Sequence, residues 1–257
     1  MNTTLIIYFL SIFSILTASF TSFFIASHYR KWTNLSKPSS CDNCGKPISK
    51  FALIPVFGSL FNLFKCPACN KKYSAKMCVI ELFSILFFIG LTFLSLDSGF
   101  ISFNEDLGIT FLKFLILSLA SSLFALFAYE DWENKEITDI YIFSAFILFA
   151  YIFPENIKMG AFLLAGTFIF KMIADNIATI IKKEETTAIG EGDILLFAFI
   201  GLLIPLELIP FAFILMGSCA IIMTYFSKEK TGPLAPNLFF GLTILIFYIN
   251  FINLQGI

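Results

Sequence analysis

The chain has 257 residues, of which 58% are hydrophobic, 14% are charged and 35 are phenylalanine. A soluble domain of this length would be about 45–50% apolar and about 25% charged, so this composition and a mean hydropathy of +0.87 exclude an ordinary soluble protein. A net charge of −1 creates no basic field, so we expect no nucleic-acid partner.

Eight apolar segments have lengths that suit a helical crossing of a bilayer, which needs about 20 residues. They lie near 4–27, 78–97, 107–129, 138–153, 159–180, 194–208, 209–226 and 235–254. The segments at 138–153 and 194–208 are short and the break at Pro205 and Pro210 is ambiguous, so seven spans are an alternative. We expect an all-α polytopic membrane protein with about eight transmembrane helices, surrounded by membrane lipids.

The first apolar run, from Thr4 to Ser27, has neither a positive n-region nor a small-residue cleavage site, which indicates a retained span. The polar segment at 28–76 carries nine Lys and Arg residues, so the positive-inside rule predicts that it is cytoplasmic. His28 closes the first span. A single histidine at a membrane edge is more often an interfacial residue than a ligand.

Two CxxC pairs lie in this polar segment, separated by 21 residues: Cys41, Cys44, Cys66 and Cys69. Two such pairs are the ligand pattern of a tetrahedral zinc site, and four cysteines leave no open position for water. We therefore predict structural Zn²⁺. Two disulfides are the alternative, although disulfides are rare in a reducing cytoplasm.

Several isolated polar residues have conservative interpretations. Glu81 is a headgroup-level glutamate or the partner of a basic group in the cysteine-bearing loop. Lys171 lies one helical turn before Asp175, so a local ion pair is expected. Cys78 and Cys219 fit as small buried hydrophobic residues.

The third span is expected to end at Tyr129, followed by a charged loop that begins Glu130-Asp131. This can be a plain solvated turn, with Thr138 or Asp139 capping the next helix. The second acidic position is Gly190-Glu191-Gly192-Asp193, at the lip of the apolar run that starts at Ile194. It can be a loop-to-helix turn with Asp193 as N-cap, or glycines that let a substrate strand approach.

Asp131 and Asp193 both fall at cytoplasmic ends of predicted spans, so the fold can bring them together. Two close carboxylates share a proton, which allows one to act as base and the other as acid in peptide hydrolysis. The sequence lacks Walker, HExxH and GxSxG motifs. Paired aspartates are therefore the best catalytic candidates.

Taken together, these motifs resemble the type IV prepilin peptidase family: the double CxxC, Asp131 followed eight residues later by Asp139, and GxGD at the start of a span. The resemblance implies an aspartic endopeptidase that removes the leader of prepilins or pseudopilins at the cytoplasmic face of the bacterial inner membrane. Asp131 and Asp193 match the catalytic positions, and Gly190 and Gly192 would position the substrate.

The resemblance also implies three parts: a first transmembrane helix at 1–27, a cytoplasmic zinc-binding domain at 28–77 and a membrane-embedded peptidase domain at 78–257. Many members of the family also methylate the new amino terminus with S-adenosylmethionine. The alternatives are another GxGD intramembrane protease and a transporter or channel with an acidic cation path. A non-enzymatic membrane scaffold with a zinc-stapled cytoplasmic head is a further alternative.

Overall fold

The structure, a computed structural model, describes residues 3–29, 40–41, 43–72, 75–102, 106–135, 137–182, 191–227 and 234–255. Within these ranges the chain is helical, with isolated β-bridges and no strand. The helices are α1 Thr3–Tyr29, α2 Phe57–Phe61, α3 Lys76–Asp97, α4 Leu107–Asn134, α5 Asp139–Ile152, α6 Ile157–Lys182, α7 Glu191–Leu203, α8 Ile209–Ser227 and α9 Leu234–Gln255. Short 3₁₀ turns occur at Lys50–Leu53, Pro154–Asn156 and Leu206–Leu208.

Five of these helices, α1, α3, α4, α6 and α9, are long and apolar enough to cross a membrane. Three shorter apolar helices, in α5, α7 and α8, complete the set found among the described residues. The all-α prediction is confirmed, whereas the count of eight spans is not. With 14 and 13 residues, α5 and α7 each rise only about 20 Å, which is less than a typical bilayer core.

Phenylalanine rings from five helices form the centre of the bundle. The ring centroid of Phe124 in α4 lies 5.1 Å from Phe87 of α3 and 5.1 Å from Phe199 of α7. It also lies 5.4 Å from Phe239 of α9 and 5.9 Å from Phe149 of α5. All five side chains are fully buried, so α4 is the helix around which the others pack.

Small hydroxyl residues join α1 to α4. The Thr17 hydroxyl donates to Ser118 Oγ at 2.9 Å, and the Ser122 hydroxyl donates to the carbonyl of Thr17 at 3.0 Å. Small polar residues let helix backbones approach in an apolar environment, where interhelical hydrogen bonds contribute to association.

A glycine contact joins α6 to α7. A Cβ at Gly201 would lie 2.7 Å from the carbonyl oxygen of Met159 and 2.9 Å from the Cα of Gly160. These neighbours are backbone atoms, so only glycine allows the two helices to approach this closely. The rest of α6 is largely exposed, which fits a helix that faces lipid.

The C-terminal end of α4 lies five residues beyond the predicted end at Tyr129. The residues from Glu130 to Asn134 include no glycine or proline, so nothing stops the helix until Lys135. Lys135 takes a left-handed conformation (φ 58°) and donates its N–H to the carbonyl of Asp131 at 3.1 Å. The expected loop position of Asp131 is therefore wrong, because Asp131 lies in the last turn of α4.

Candidate active site and metal centre

The carboxylate of Asp131 meets the first turn of α9. Its Oδ2 accepts a hydrogen bond from the N–H of Ala235, the second residue of α9, at 2.8 Å. The side chain of Asp131 is only 8% exposed. The first N–H groups of a helix have no partner within the helix and carry partial positive charge, so they stabilise a carboxylate there. The start of α9 thus fixes one oxygen of Asp131.

Sequence reasoning missed the role of Ala235. The local signal for the start of α9 is Pro236, because proline has no N–H and is common in the first turn of a helix. The N–H groups of that turn have no acceptor within the helix, so they need one from elsewhere. The contact joins residues 104 positions apart, so it depends on the packing of α9 against α4.

Glu130, beside Asp131 in the chain, is held by a separate polar network. It is 1% exposed, and its Oε1 lies 3.0 Å from Nε2 of His28 at the end of α1. The N–H and the hydroxyl of Thr138 donate to it at 3.2 and 3.3 Å, and Nδ1 of His28 lies 3.3 Å from the hydroxyl of Tyr141. The network joins the ends of α1 and α4 to the start of α5.

Two expectations change because of this network. His28 is the partner of a buried carboxylate and not only an interfacial residue. Thr138 occupies the N-cap position of α5, but its hydroxyl makes no cap hydrogen bond and donates to Glu130 instead. A buried carboxylate needs several donors, so Glu130 competes with the helix terminus for this hydroxyl.

We call this region, where α1 and α4 end and α3, α5 and α9 begin, the Asp131 end of the bundle. Lys76, the first residue of α3, pairs with Glu133 at 3.1 Å and lies 5.5 Å from the ring centre of Trp132. At the opposite end, Lys113 donates to the carbonyl of Phe100.

The first turn of α7 includes Gly192 and Asp193, whereas Gly190 and the side chain of Asp193 lie outside what the structure describes. The C-terminal part of α7 lies at the opposite end of the bundle, where the Asn156 side chain at the α5–α6 turn donates to the carbonyl of Leu202 at 2.9 Å. Because α7 is a single helix, its first turn points toward the Asp131 end.

Glu81 is buried between α1, α3 and the cysteine-bearing segment. Its Oε2 accepts from the N–H of Val56 at 2.7 Å, and the hydroxyl of Ser22 donates to Oε1. The expected basic partner is wrong, because the partners are a backbone amide and a hydroxyl, whereas a position at headgroup level stays a prediction.

The remaining acidic and cysteine residues behave mostly as predicted. Lys171 and Asp175 form the expected ion pair, at 3.3 Å, which gives Asp175 a structural partner within its own helix. Cys78 is buried as predicted, and Cys219 is half-buried.

The four predicted cysteine ligands converge. Their sulfur atoms all lie within 4.8 Å of one another, and the Sγ atoms of Cys41 and Cys69 are 3.8 Å apart. Four sulfurs at the usual Zn–S distance of about 2.3 Å form a tetrahedron with edges of about 3.8 Å. The cysteines are free thiols, so the disulfide alternative is wrong, and the cluster can hold a metal ion such as zinc.

The two halves of the cluster have the same backbone hydrogen bonds. In the first, Cys41 N–H donates to Lys46 and Gly45 N–H donates back to Cys41, at 2.9 and 2.8 Å. In the second, Cys66 N–H donates to Lys71 and Asn70 N–H to Cys66, again at 2.9 and 2.8 Å. Gly45 and Asn70, each directly after the second cysteine of its pair, have φ values of 67° and 57°. Glycine and asparagine are the residues that tolerate this turn.

Backbone amides tune the thiols of the cluster. The N–H groups of Cys44 and Asn43 lower the pKa of the Cys41 thiol. The N–H of Lys71, helped by the Asn43 side chain, lowers the pKa of Cys69 to about 6. The N–H of Lys46 also lowers the pKa of Cys44, but desolvation and the neighbouring thiols raise it to about 11. Since a metal binds thiolates, the knuckle amides favour the ligand form of Cys41 and Cys69.

Comparisons with known proteins match an N-terminal and a C-terminal part of the chain. A model of the bacterial peptidase A24 N-terminal domain matches residues 12–95, and a model of the type IV leader peptidase family matches residues 118–225. A relative from Vibrio cholerae, named prepilin leader peptidase/N-methyltransferase, is 26% identical over 224 residues, which cover 83% of this chain and 82% of the relative. No solved structure matches the chain significantly.

The first family match spans α1, the cysteine cluster and α3, and the second spans the C-terminal half of α4 through α8. These regions hold the motifs on which the resemblance rests. This chain therefore belongs to the type IV leader peptidase family.

Proposed function

We propose that the chain is an aspartic endopeptidase that removes the leader of type IV prepilins or pseudopilins, with Asp131 and Asp193 as its two catalytic carboxylates. The observation that carries the proposal is the buried carboxylate of Asp131, fixed on the N–H of Ala235 at 2.8 Å. A buried acid at the end of a bundle is costly and needs a partner or a reaction. The first turn of α7, which carries Asp193, points toward the same end.

The chemistry follows from two carboxylates that share one proton. The ionised member takes a proton from water as the water attacks the scissile carbonyl. The protonated member donates a hydrogen bond to the carbonyl oxygen, and its proton passes to the leaving amine as the C–N bond breaks. The contact with Ala235 fixes the orientation of Asp131, so that its second oxygen serves the dyad, and the buried position limits competing bulk water.

The glycines before Asp193 have a role in binding. We propose that Gly190 and Gly192 leave room for an extended substrate strand beside the carboxylate, because a residue without Cβ allows backbone to approach backbone. Larger residues at either position would then raise KM for the substrate more than they lower kcat.

The Asp131 end of the bundle is proposed to face the cytoplasm from a bacterial inner membrane. It carries the lysine-rich segment that joins α1 to α3, which is the arrangement that the positive-inside rule favours. The cysteine cluster lies in that segment. The residues fit Zn²⁺, with Cys41, Cys44, Cys66 and Cys69 as its ligands and a structural role for the ion.

Methylation of the new amino terminus is a second candidate activity, with S-adenosylmethionine as cofactor. The name of the Vibrio relative, which matches over most of this chain, favours it. Members of the family often have a Gly-Ser-Phe-x-Asn run near the end of the first span. The run from Thr21 to Ile25 in this chain lacks the Gly and the Asn, which counts against methylation.

The test of the proposed function is leader removal by the purified full chain in lipid nanodiscs. The resemblance to the family implies cleavage after a glycine, so a prepilin-like substrate is compared with a matched substrate in which leucine replaces that glycine. Electrophoretic mobility and the mass of the product measure cleavage. We expect cleavage of the first substrate alone. Absence of cleavage of both, with the protein folded and monodisperse, would contradict the proposal. Labelled S-adenosylmethionine in the same reaction tests methylation.

A further inference from the structure

Seven large apolar side chains are exposed within a short stretch that lies outside the membrane-spanning helices. We call residues 51–63, which include α2 and all of the 3₁₀ turn except Lys50, the apolar hairpin; its exposed members are Phe51, Leu53, Ile54, Phe57, Leu60, Phe61 and Leu63. Phe51 and Phe61 are each 82% exposed. Exposed apolar side chains at this density are typical of an interaction site.

The backbone explains why these side chains point outward. A Cβ at Gly58 would lie 2.2 Å from the carbonyl oxygen of Ala52, so the 3₁₀ turn and α2 pack backbone against backbone. Such contact leaves no interior for side chains, and within the hairpin only Val56 and Gly58 are buried. The apolar side chains are therefore available to something outside the protein.

Two contacts fix the hairpin at the start of a candidate membrane span. The N–H of Val56 donates to Glu81 at 2.7 Å, and the Cys78 thiol lies 3.9 Å from the carbonyl of Val56. Glu81 is the sixth residue of α3, about 8 Å along a helix that is apolar enough to cross the bilayer. Phe57 follows Val56 directly, so the hairpin lies at the depth where the bilayer interface begins.

The charged residues within the segment that contains the hairpin are lysines. The segment at 43–80 contains no Asp or Glu and six lysines: Lys46, Lys50, Lys65, Lys71, Lys72 and Lys76. Apolar side chains flanked by lysines are typical of a segment that lies in the membrane interface, where the lysines meet anionic headgroups. Lys76 is paired with Glu133, and an anionic lipid surface complements the other five lysines better than a zwitterionic one does.

From these observations we propose that the apolar hairpin inserts into the anionic headgroup layer of the leaflet that α3 enters, so that the cysteine cluster is held on the membrane surface. The hairpin binds lipid of the same bilayer. The parts of the acyl chains nearest the headgroups contact side chains such as Phe57 and Phe61, and lipid phosphates contact the flanking lysines. This inference does not depend on the proposed peptidase activity.

The test uses the full chain in nanodiscs whose phosphatidylglycerol and phosphatidylcholine carry brominated acyl chains, which quench nearby tryptophan. Phe61→Trp reports on the hairpin, and Ala68→Trp, at an exposed position between the second pair of cysteines, is the matched control. Relative to the parent protein, we expect the added fluorescence of Phe61→Trp to be quenched at least about twofold more than that of Ala68→Trp. Bound zinc, measured in both variants, verifies that the cluster is intact.

A second arm tests the charge. Replacing phosphatidylglycerol by phosphatidylcholine, or introducing Lys65→Gln with Lys72→Gln, should reduce the quenching of Phe61→Trp. Equal quenching at the two positions would overturn the proposal. The proposal would also be overturned if lipid left Phe61→Trp unquenched and only an added prepilin-like substrate shielded it from aqueous acrylamide, because the hairpin would then bind substrate. Shielding that appears only as the chain self-associates would mean that the hairpin binds a second copy, which overturns the proposal as well.

Discussion

Glu130 and Asp131 are adjacent acids that α4 directs into two different environments. Neighbouring residues on a helix point about 100° apart, so Glu130 reaches α1 and α5 while Asp131 reaches the start of α9. Glu130 is tied by several donors from other helices, and its geometry is that of a structural carboxylate. Asp131 accepts from one backbone N–H of α9 and is 8% exposed, against 1% for Glu130, which is compatible with the catalytic role that we propose for it.

The pair of His28 and Glu130 gives a prediction about stability. His28→Ala removes a partner of a fully buried carboxylate, which should lower the free energy of unfolding by about 1–3 kcal/mol. The double change His28→Leu with Glu130→Leu should recover most of that loss, since an apolar pair needs no hydrogen bonds. Thermal unfolding in one detergent measures both.

The matched control for His28 is Ser19→Ala, an exposed position on the same helix whose hydroxyl bonds only to its own turn. It should leave the unfolding temperature unchanged. If His28→Ala behaves like this control, the contact with Glu130 contributes nothing to the stability of the bundle.

Among the elements, α7 depends on its glycine contact with α6. In Gly201→Ala the new methyl group would meet backbone atoms of Met159 and Gly160, so the helices must separate, at a cost of about 1–3 kcal/mol. Because α7 carries Asp193 in its first turn, we also expect slower leader removal. Unfolding and cleavage rates of the same preparation measure the two effects.

Gly166→Ala provides the comparison for this prediction. Gly166 lies on α6 with open space around its Cα, so a methyl group there meets no neighbour and improves helix propensity. This variant should be as stable as the parent or slightly more so. Equal behaviour of Gly166→Ala and Gly201→Ala would show that the close approach of α6 and α7 is not required.

We expect a bound metal ion to stabilise the folded conformation of the cysteine cluster. Protein purified without added zinc should contain about one zinc per chain, and Cys69→Ser should lose it, because three thiolates bind zinc far more weakly than four. Elemental analysis measures the metal, and limited proteolysis at 40–72 measures the order of the segment.

Cys219→Ala is the control for this experiment, since Cys219 lies in α8 and is not part of the cluster. Its zinc content should equal that of the parent. Zinc-free parent protein with a protease-resistant 40–72 segment would contradict the assignment of a structural metal.

Over the whole molecule, local features were predictable and long-range contacts were not. The spacing of the two CxxC pairs anticipated the cluster, because each knuckle is set by about five consecutive residues. The apolar runs anticipated the helices. The end of α4 was misplaced because charged residues suggested a loop, although nothing in Glu130–Asn134 breaks a helix.

The contacts that shape the site join distant parts of the chain. His28 meets Glu130 and Ala235 meets Asp131 only because α1, α4 and α9 share one end of the bundle. The predicted spans indicate which helix termini share a face of the membrane, but they carry no information on which of those termini are neighbours.

The most direct test of the proposed dyad is the rate of leader removal by Asp131→Asn, Asp193→Asn and the double variant, each folded in the same nanodiscs. Asp175→Asn, an acid already paired with Lys171 within α6, is the matched control and should cleave at nearly the rate of the parent. Each single change should slow cleavage by about 10²–10⁴-fold or more, and the double change should slow it little further, because the two carboxylates act as a unit. Cleavage at the parental rate by either single variant, or losses that multiply in the double variant, would contradict the dyad.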